Sequence, residues 1–329
     1  MIHYYQNKKV LVTGAGGFIG SHLAERLVKE GAQVTALVHY NALGSLGWLQ
    51  FSPQRGDMEI VAGDICDPGF MQSLIEGQDI VFHLGALIAI PYSYVAPESY
   101  VRTNVVGTLN VLQAARRGGV ERMVHTSTSE VYGTALYVPI DEKHPLQGQS
   151  PYSASKIGAD KMVESFHLSF DLPCVTVRPF NTFGPRQSAR AVIPTILSQI
   201  LASGEVKLGS LTPTRDLNFV DNTVDGFVQA GHCPQAVGHT INLGSGREIS
   251  IGDLAEMISG IVGKTATVHL DEQRIRPPNS EVERLLADNT LAGELLDWHP
   301  QVDLEGGLAR TIEWFRGNSH LYQSDKYNI

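Results

Sequence analysis

Two pairs of side chains carry the chemistry this sequence offers. Tyr152 and Lys156 stand four residues apart in PYSASK. On a helix that spacing stacks phenol and ammonium on one face, and Pro151 suits a first helical turn. A free tyrosine has a pKa of about 10. A neighbouring ammonium favours the phenolate and lowers that value, so Tyr152 is expected to exchange a proton with a substrate hydroxyl. Upstream, HTSTSEVYG places a hydroxyl, Thr128, two residues before a carboxylate, Glu130. A tyrosine and lysine at this spacing also occur by chance, so the elements that position them decide.

Those elements begin at the N-terminus. Lys9 to Thr13 (KVLVT) suits a buried parallel strand. GAGGFIG follows, and SHLAERLVKEG reads as an amphipathic helix ending at Gly31. Gly14, Gly17 and Gly20 allow a tight turn and let phosphate approach the backbone at a helix N-terminus. Strand, glycine turn and helix together predict a dinucleotide-binding unit. Gln33 to Val38 is the second strand. It runs into His39-Tyr40-Asn41, with no carboxylate to repel a 2′-phosphate and no arginine to hold one. That tilts the expectation toward NADP over NAD.

Glu59–Ala62, Asp79–Leu84, Val120–Thr126 and Cys174–Arg178 read as the third to sixth strands. Long helical patterns cover Glu98–Arg117 and Tyr152 to about Phe170. Asp64 suits an adenine amino group or a loop cap. Gly85-Ala86 would let a flat ring lie close to the backbone. The repeated βα order predicts a doubly wound parallel sheet, an α/β fold of Rossmann type. Beyond Pro179 the regularity breaks into a loop and helix to Gly204, then short strands and turns from 206 to 222. His239–Leu243 is expected to return a strand to the main sheet, and Ser250–Val262 and Leu304–Phe315 to be helices. The predicted division is a dinucleotide domain over 1–178, with 213–245 returning to it, and a smaller α/β substrate domain over 179–329. The loop LIAIPYSYVAPES walls a pocket or packs as core, with Ile88 and Ile90 open to either role. Arg178, Arg186 and Arg276 adjoin prolines, and Arg190, Arg215 and Arg274 lie in the same Pro- and Gly-containing half. Arginine suits a bidentate grip on diphosphate.

The net charge of −9 argues against nucleic acid or anionic membrane as the main partner. Three separated cysteines suggest reduced thiols, and the opening MIHYYQNKK has no apolar signal core, so a cytoplasmic protein is expected. The histidines show no metal-binding spacing, and no metal is expected. The polar end GNSHLYQSDKYNI has no assigned role.

The joint pattern TGAGGFIG, GDI, HLGA, TSTSEVYG, YSASK and RPFNTFGPR resembles the extended short-chain dehydrogenase/reductase family of nucleotide-sugar epimerases, dehydratases and decarboxylases. The resemblance spans essentially the whole chain. It implies a retained NAD or NADP held by Gly14, Gly17, Phe18, Ile19, Gly20, His39, Asp64, Ile65, Leu84, Ala86, Tyr152 and Lys156. It also implies a homodimer through a four-helix bundle of the helices near 98–117 and 152–169. Thr128-Ser129-Glu130 looks like the 4,6-dehydratases, GDP-mannose 4,6-dehydratases above all, whereas 4-epimerases typically lack the glutamate. The implied roles follow. Tyr152 takes the C4 hydroxyl proton, Thr128 bonds the C4 oxygen, Glu130 removes the C5 hydrogen and Ser129 assists at C6. Lys156 holds the cofactor ribose and lowers the tyrosine pKa. The product is a 4-keto-6-deoxy sugar.

Arg276-Pro277, Glu281-Val282, Leu285-Leu286 and Asp288 echo the RPxEVxxLLxD run of GDP-mannose dehydratases, with two extra residues after the proline. That match implies Arg276 on the diphosphate and Glu281 on the nucleoside ribose. SARAVIPTI, KLGSLTPTRD and LIAIPYSY look closer to legionaminic-acid-type 4,6-dehydratases, which act on nucleotide-activated N-acetylglucosamine. Ile88, Asn181, Arg190, Lys207 and Arg215 would then line the NDP-sugar site. NDP-glucuronate decarboxylases share Thr-Ser-Glu-Val-Tyr-Gly and form the second reading. A 4-epimerase is third, and a non-catalytic nucleotide sensor fourth.

Overall fold

A computed structural model describes residues 4–322. The first half runs β1 (Lys9–Thr13), α1 (Phe18–Lys29), β2 (Gln33–His39), β3 (Met58–Gly63), α2 (Pro68–Ile75), β4 (Ile80–His83), α3 (Ile90–Val95), α4 (Pro97–Tyr100), α5 (Gly107–Gly118), β5 (Arg122–Thr126), α6 (Pro151–Phe170) and β6 (Cys174–Pro179). The second half runs β7 (Asn181–Phe183), α7 (Val192–Ala202), β8 (Glu205–Leu208), β9 (Thr214–Phe219), α8 (Val220–His232), β10 (Thr240–Leu243), β11 (Glu248–Ser250), α9 (Ile251–Val262), β12 (Thr267–Leu270), α10 (Thr290–Leu296) and α11 (Leu304–Asn318).

Seven parallel strands form the main sheet in the order β10-β6-β5-β4-β1-β2-β3. β4 is buried along its whole length, as a strand covered by helices on both faces must be. The chain winds outward in both directions from β1 and β4, so a crevice opens at their C-terminal ends. The register sets Thr13 beside His83 and His83 beside His125. The residues that follow these three strands therefore converge.

Local sequence explains how the key helices start. Asp67 caps α2 by accepting from the N–H groups of Gly69 and Phe70. Ser150 and Ser153 form a reciprocal cap on α6 with Pro151 in its first turn, which fixes where Tyr152 begins the helix. α6 ends at Asp171 in the left-handed conformation. The single helix expected over 98–117 is instead α4, a π-helical turn over Val101–Val106, and α5. Asn104 lies in that turn and is buried. It accepts from Leu87 N–H and donates to Leu87 C=O and to the Ser155 hydroxyl. A wide turn that aims one side chain inward is how such bulges commonly serve a site.

The second half is less regular. β10 returns to the main sheet beside β6, as 239–243 was expected to do. β9 does not: it joins β7 and β11 in a separate three-stranded sheet. β8 and β12 pair by themselves. α8, which starts at the end of the stretch read as short strands and turns and continues through residues given no assignment, buries Val220, Val224, Phe227 and Val228 along one face. That is an amphipathic pattern whose asparagines and aspartates imitate a loop. A core of Phe183, Phe219, Trp298 and Phe315 joins these pieces to the main sheet. Cys66, Cys174 and Cys233 are unpaired. Among the described residues no helix is long and apolar enough to cross a membrane. Residues 1–3 of the opening segment, and the end of the polar tail after 322, lie outside the described residues.

Candidate active site

The crevice begins at the glycine turn. Gly14 has φ of 70°, and a Cβ there would sit 2.9 Å from Leu84 and Gly85 backbone atoms. A Cβ on Gly20 would lie 2.3 Å from the Gly14 carbonyl oxygen. These glycines bring β1, α1 and the end of β4 into contact. Gly17 heads α1, and no side chain caps the N–H groups there. An uncapped helix start behind a glycine turn suits a pyrophosphate. A dinucleotide therefore fits Gly14, Gly17, Phe18, Ile19 and Gly20. On the far side Trp48 N–H donates to Gly16 C=O at 2.9 Å. His39 and Tyr40, at the end of β2, are exposed.

The end of β4 is held by a chain of small polar groups. The Thr13 hydroxyl accepts from Leu84 and Gly85 N–H at 3.1 and 3.0 Å. It lies 2.8 Å from His83 Nδ1, and with two N–H groups already donated to it, its own proton points to that nitrogen. His83 Nε2 then donates to Thr108 at 3.0 Å. Burial holds His83 well below its ordinary pKa, consistent with this neutral tautomer. Asp64 caps its own loop, accepting from Cys66 N–H at 2.8 Å. Ile65 is buried behind Gly85 and Gly107, so it shapes the wall that Leu84 and Ala86 edge.

The catalytic candidates meet where β5 ends and α6 begins. Tyr152 and Lys156 are 7% and 4% exposed. Thr128 and Ser129 are buried, and Glu130 is half-buried in the 3₁₀ turn Ser129–Tyr132. Glu130 N–H donates to the Thr128 hydroxyl at 3.2 Å. The Tyr152 ring packs edge-on against Tyr100, 6.2 Å between centroids.

The expected lowering of the Tyr152 pKa by Lys156 is not found in this structure. Burial pushes the phenol up; its hydrogen bond with Thr128 opposes that, and the Glu130 charge adds to it. The Lys156 ammonium instead donates to the Thr126 carbonyl at 2.6 Å. Burial pushes Lys156 itself down to about 8, with Asp160 opposing.

The arginines divide into two groups. Arg178 is buried and bonded to Asp160 and Tyr132. Arg186 pairs with Glu25 of α1, and Arg274 pairs with Asp271. These three are structural and correct the expectation that they grip diphosphate. Arg215 and Arg276 converge. Arg215 Nη2 lies 3.0 Å and Arg276 Nη1 3.5 Å from the same Glu281 oxygen. Glu281 is thus engaged by two arginines and is not free for a ribose in this state. Arg190 is exposed and close enough to lower the Tyr100 pKa against burial, which raises it. Asn181 opens β7 with its Oδ1 buried and unpartnered among the described residues. Ile88 is 60% exposed on the loop before α3. Lys207 is exposed on β8, and no contact joins it to this group.

A strap over residues 276–288 closes the arginine side. Tyr94 and Ser280 hydroxyls lie 2.6 Å apart. Thr134 donates to Glu281 C=O, and Gln149 donates to Asn279 C=O. The two residues inserted after Arg276-Pro277 place Ser280 against Tyr94. Sequence reading missed Tyr94, Thr13, His83, Asn104, Thr126 and Asp160. Only Asp160 carried a signal, one helical turn beyond Lys156.

The chain matches the family described as GDP-mannose 4,6 dehydratase over residues 11–311. It is 38% identical over 318 residues to UDP-glucose 4-epimerase of Mycolicibacterium smegmatis, covering 94% of this chain and 99% of that protein. It is 31% identical over 327 residues to dTDP-D-glucose 4,6-dehydratase of Homo sapiens, covering 96% and 92%. The solved structure of DesIV, a dTDP-glucose 4,6-dehydratase from Streptomyces venezuelae with NAD and TYD bound, superposes with a TM-score of 0.85. That match is at 28% identity and covers 96% of this chain and 99% of the other. With the glycine cradle and the Thr128–Glu130–Tyr152–Lys156 constellation in place, the chain belongs to the extended short-chain dehydrogenase/reductase family of NAD(P)-dependent, NDP-sugar 4,6-dehydratase-like enzymes.

Proposed function

We propose that the chain is an NDP-hexose 4,6-dehydratase. One observation carries this reading. Glu130 has a half-buried carboxylate that makes no hydrogen bond or ion pair among the described residues, yet it lies close enough to Tyr152 to raise its pKa. A half-buried carboxylate beside the phenol, engaged by no other group among the described residues, is available as a general base. Removal of a C5 proton suits such a base, because a keto group at C4 acidifies that hydrogen. Tyr152 and Thr128 hold the C4 oxygen from two sides and exchange its proton. Glu130 takes the C5 proton and, with Ser129, assists departure of the C6 hydroxyl as water.

A bound nicotinamide dinucleotide would supply the hydride acceptor at C4 and the donor at C6. Lys156, with two N–H groups beyond the one given to Thr126, would hold its ribose. NAD, the dinucleotide of the Streptomyces venezuelae structure, is the cofactor to supply first. His39-Tyr40-Asn41 has no lysine or arginine to favour a 2′-phosphate. On this reading 1–178, with β10 returning to its sheet, holds the dinucleotide and 179–329 most of the NDP-sugar. Arg276 would touch the diphosphate, and Arg215, Asn181, Arg190 and Ile88 would line the NDP-sugar site beside it, while Lys207 stands apart from them on β8. Exposed Val101, Val106, Leu168 and Phe170 on the 101–118 and α6 helices support a homodimer through those helices.

The second reading is an NDP-sugar 4-epimerase, favoured by the Mycolicibacterium smegmatis relative. Mass spectrometry after incubation with GDP- and UDP-linked hexoses, N-acetylglucosamine and glucuronate separates the readings. Loss of water from a hexose substrate is expected. An unchanged mass with inverted C4 configuration would establish the epimerase, and loss of carbon dioxide from the uronate a decarboxylase. Glu130→Gln should retain sugar binding and lose elimination. Normal product formation by that variant removes Glu130 from the mechanism.

A further inference from the structure

One helical turn beyond Lys156 lies a carboxylate that the proposed chemistry does not use. Asp160 lies one turn below Lys156 on α6 and is 5% exposed. Its Oδ2 accepts from Ser127 Oγ at 2.7 Å and from Arg178 Nη2 and Nε at 2.9 and 3.3 Å. Its Oδ1 lies 3.2 Å from His125 Nε2. A carboxylate has no proton to give, so His125 donates through Nε2. That leaves Nδ1 as the bare nitrogen, and Nδ1 has no partner among the described residues.

Two of these donors are not equivalent to the rest. His125 and Ser127 flank Thr126, whose carbonyl receives the Lys156 ammonium at 2.6 Å. Asp160 therefore grips the end of β5 on both sides of the one peptide that holds the lysine. Both the lysine and its restraint hang from the same helix, so carbonyl and ammonium are fixed relative to each other. Thr128 follows two residues later, and its placement depends on the same strand end.

Charge points the same way. The ionisable groups around Lys156 are His83 on β4, His125 on β5, Tyr152 and Asp160 on α6, and Arg178 on β6. Tyr132 and Glu130 lie on the turn beside them. The histidines are held neutral by burial. Tyr152 and Tyr132 are pushed up by burial and stay protonated. Arg178 is a second buried cation. Asp160 alone acts on Lys156 as a counter-charge.

We propose that Asp160 is a positioning residue of the catalytic machinery, setting the Thr126 carbonyl that holds Lys156 and supplying the buried counter-charge to its ammonium. The proposal rests on the reading of Lys156 as the residue that holds the dinucleotide ribose. Binding of NADH to the full chain, measured by titration calorimetry from pH 6 to 10, tests both and keeps them apart.

The wild type should lose affinity along a basic limb near pH 8, where Lys156 discharges. Lys156→Met should lower affinity and abolish the limb. Wild-type affinity and an unchanged limb in that variant would mean that Lys156 is misread, whatever Asp160 does. Asp160→Asn should move the limb down by about one unit or more. Ser127→Ala keeps the charge and cuts one tether, so affinity should fall several-fold with the limb in place. Asp160→Glu, for use if Asp160→Asn does not fold, keeps the charge and shifts the grip. It should behave like Ser127→Ala. A stable Asp160→Asn protein whose limb stays at the wild-type pH overturns the counter-charge. Wild-type affinity in Ser127→Ala or Asp160→Glu overturns the grip.

Discussion

The two sides of the crevice are built on different physical terms. The side proposed for the dinucleotide is made of backbone and of buried neutral groups satisfied by one another. Glycines allow contacts that no side chain tolerates, and Thr13, His83, Thr108 and Asn104 pass hydrogen bonds in sequence. The side proposed for the sugar is made of long charged side chains that pair with one another. Arg215 and Arg276 share Glu281. The strap is anchored beyond Val282 by backbone pairs to Ala135, Ile140 and Thr214, whereas Asn279, Ser280 and Glu281 are tied across by single hydroxyl and carbonyl contacts. The first side has one arrangement. The second can exchange partners, because an arginine leaving a carboxylate for a diphosphate keeps its charge paired.

The largest break of this contrast is expected at the junction. Tyr152→Phe should cut turnover by about 10²–10⁴-fold while melting temperature and sugar affinity stay near wild type, since the ring is kept. Undiminished kcat would remove the phenol from the chemistry. Next comes the rigid side. Gly20→Ala drives a Cβ against the Gly14 carbonyl at 2.3 Å. It should lower stability by roughly 1–3 kcal/mol and weaken NAD binding at least tenfold (about 1.4 kcal/mol). A thermal melt with and without NAD reads both effects, and normal NAD binding would show that the turn is not rigid.

The buried histidines give the third effect. His125 is held near 4 by burial, and His83 is lowered likewise. Both fold neutral, whereas an unfolded histidine binds a proton below about 6.5. The unfolded chain therefore binds more protons, and stability should fall as pH drops from about 6.5 toward 4. Each histidine contributes up to about 1.4 kcal/mol per pH unit within its window. Urea unfolding across that range should show the slope, shallower in His125→Asn. A flat profile would mean that these histidines are protonated in the fold. The smallest effect belongs to the exchangeable side. Arg276→Ala should raise KM for the NDP-sugar by about tenfold with kcat and melting temperature little changed. A large stability loss would show that the arginine pair is structural.

This contrast also decides what could be read from the chain. β1, the glycine turn, α1 and the strand ends are local patterns, and the structure places them as expected. The constellation of Thr128, Glu130, Tyr152 and Lys156 was visible because its members lie on two short stretches. The Tyr152 pKa was not, because spacing shows the neighbouring charge and hides the burial. Asp160, Arg178 and His125 meet from α6, β6 and β5, and only the sheet order brings them together. The arginines of the second half looked alike in sequence. Arg178 and Arg186 proved structural because each met an acid from another segment, and such a partner leaves no trace in spacing; Arg274 met Asp271 three residues before it. The π-helical turn at Val101–Val106 was missed because apolar periodicity does not register one extra residue per turn.

The bond from Trp48 to Gly16 has an optical consequence. The Trp48 backbone clasps the loop that would lie under the pyrophosphate, and its indole stands edge-on to Trp314 of α11, with centroids 5.6 Å apart. Two of the three tryptophans thus form one reporter wired to the glycine turn, while the third, Trp298, is buried in the core with its N–H on the Asn222 carbonyl. On the proposed reading, intrinsic fluorescence would give a label-free gauge of cofactor occupancy. Quenching by a bound reduced nicotinamide would register at the Trp48–Trp314 pair, against a steady background from Trp298.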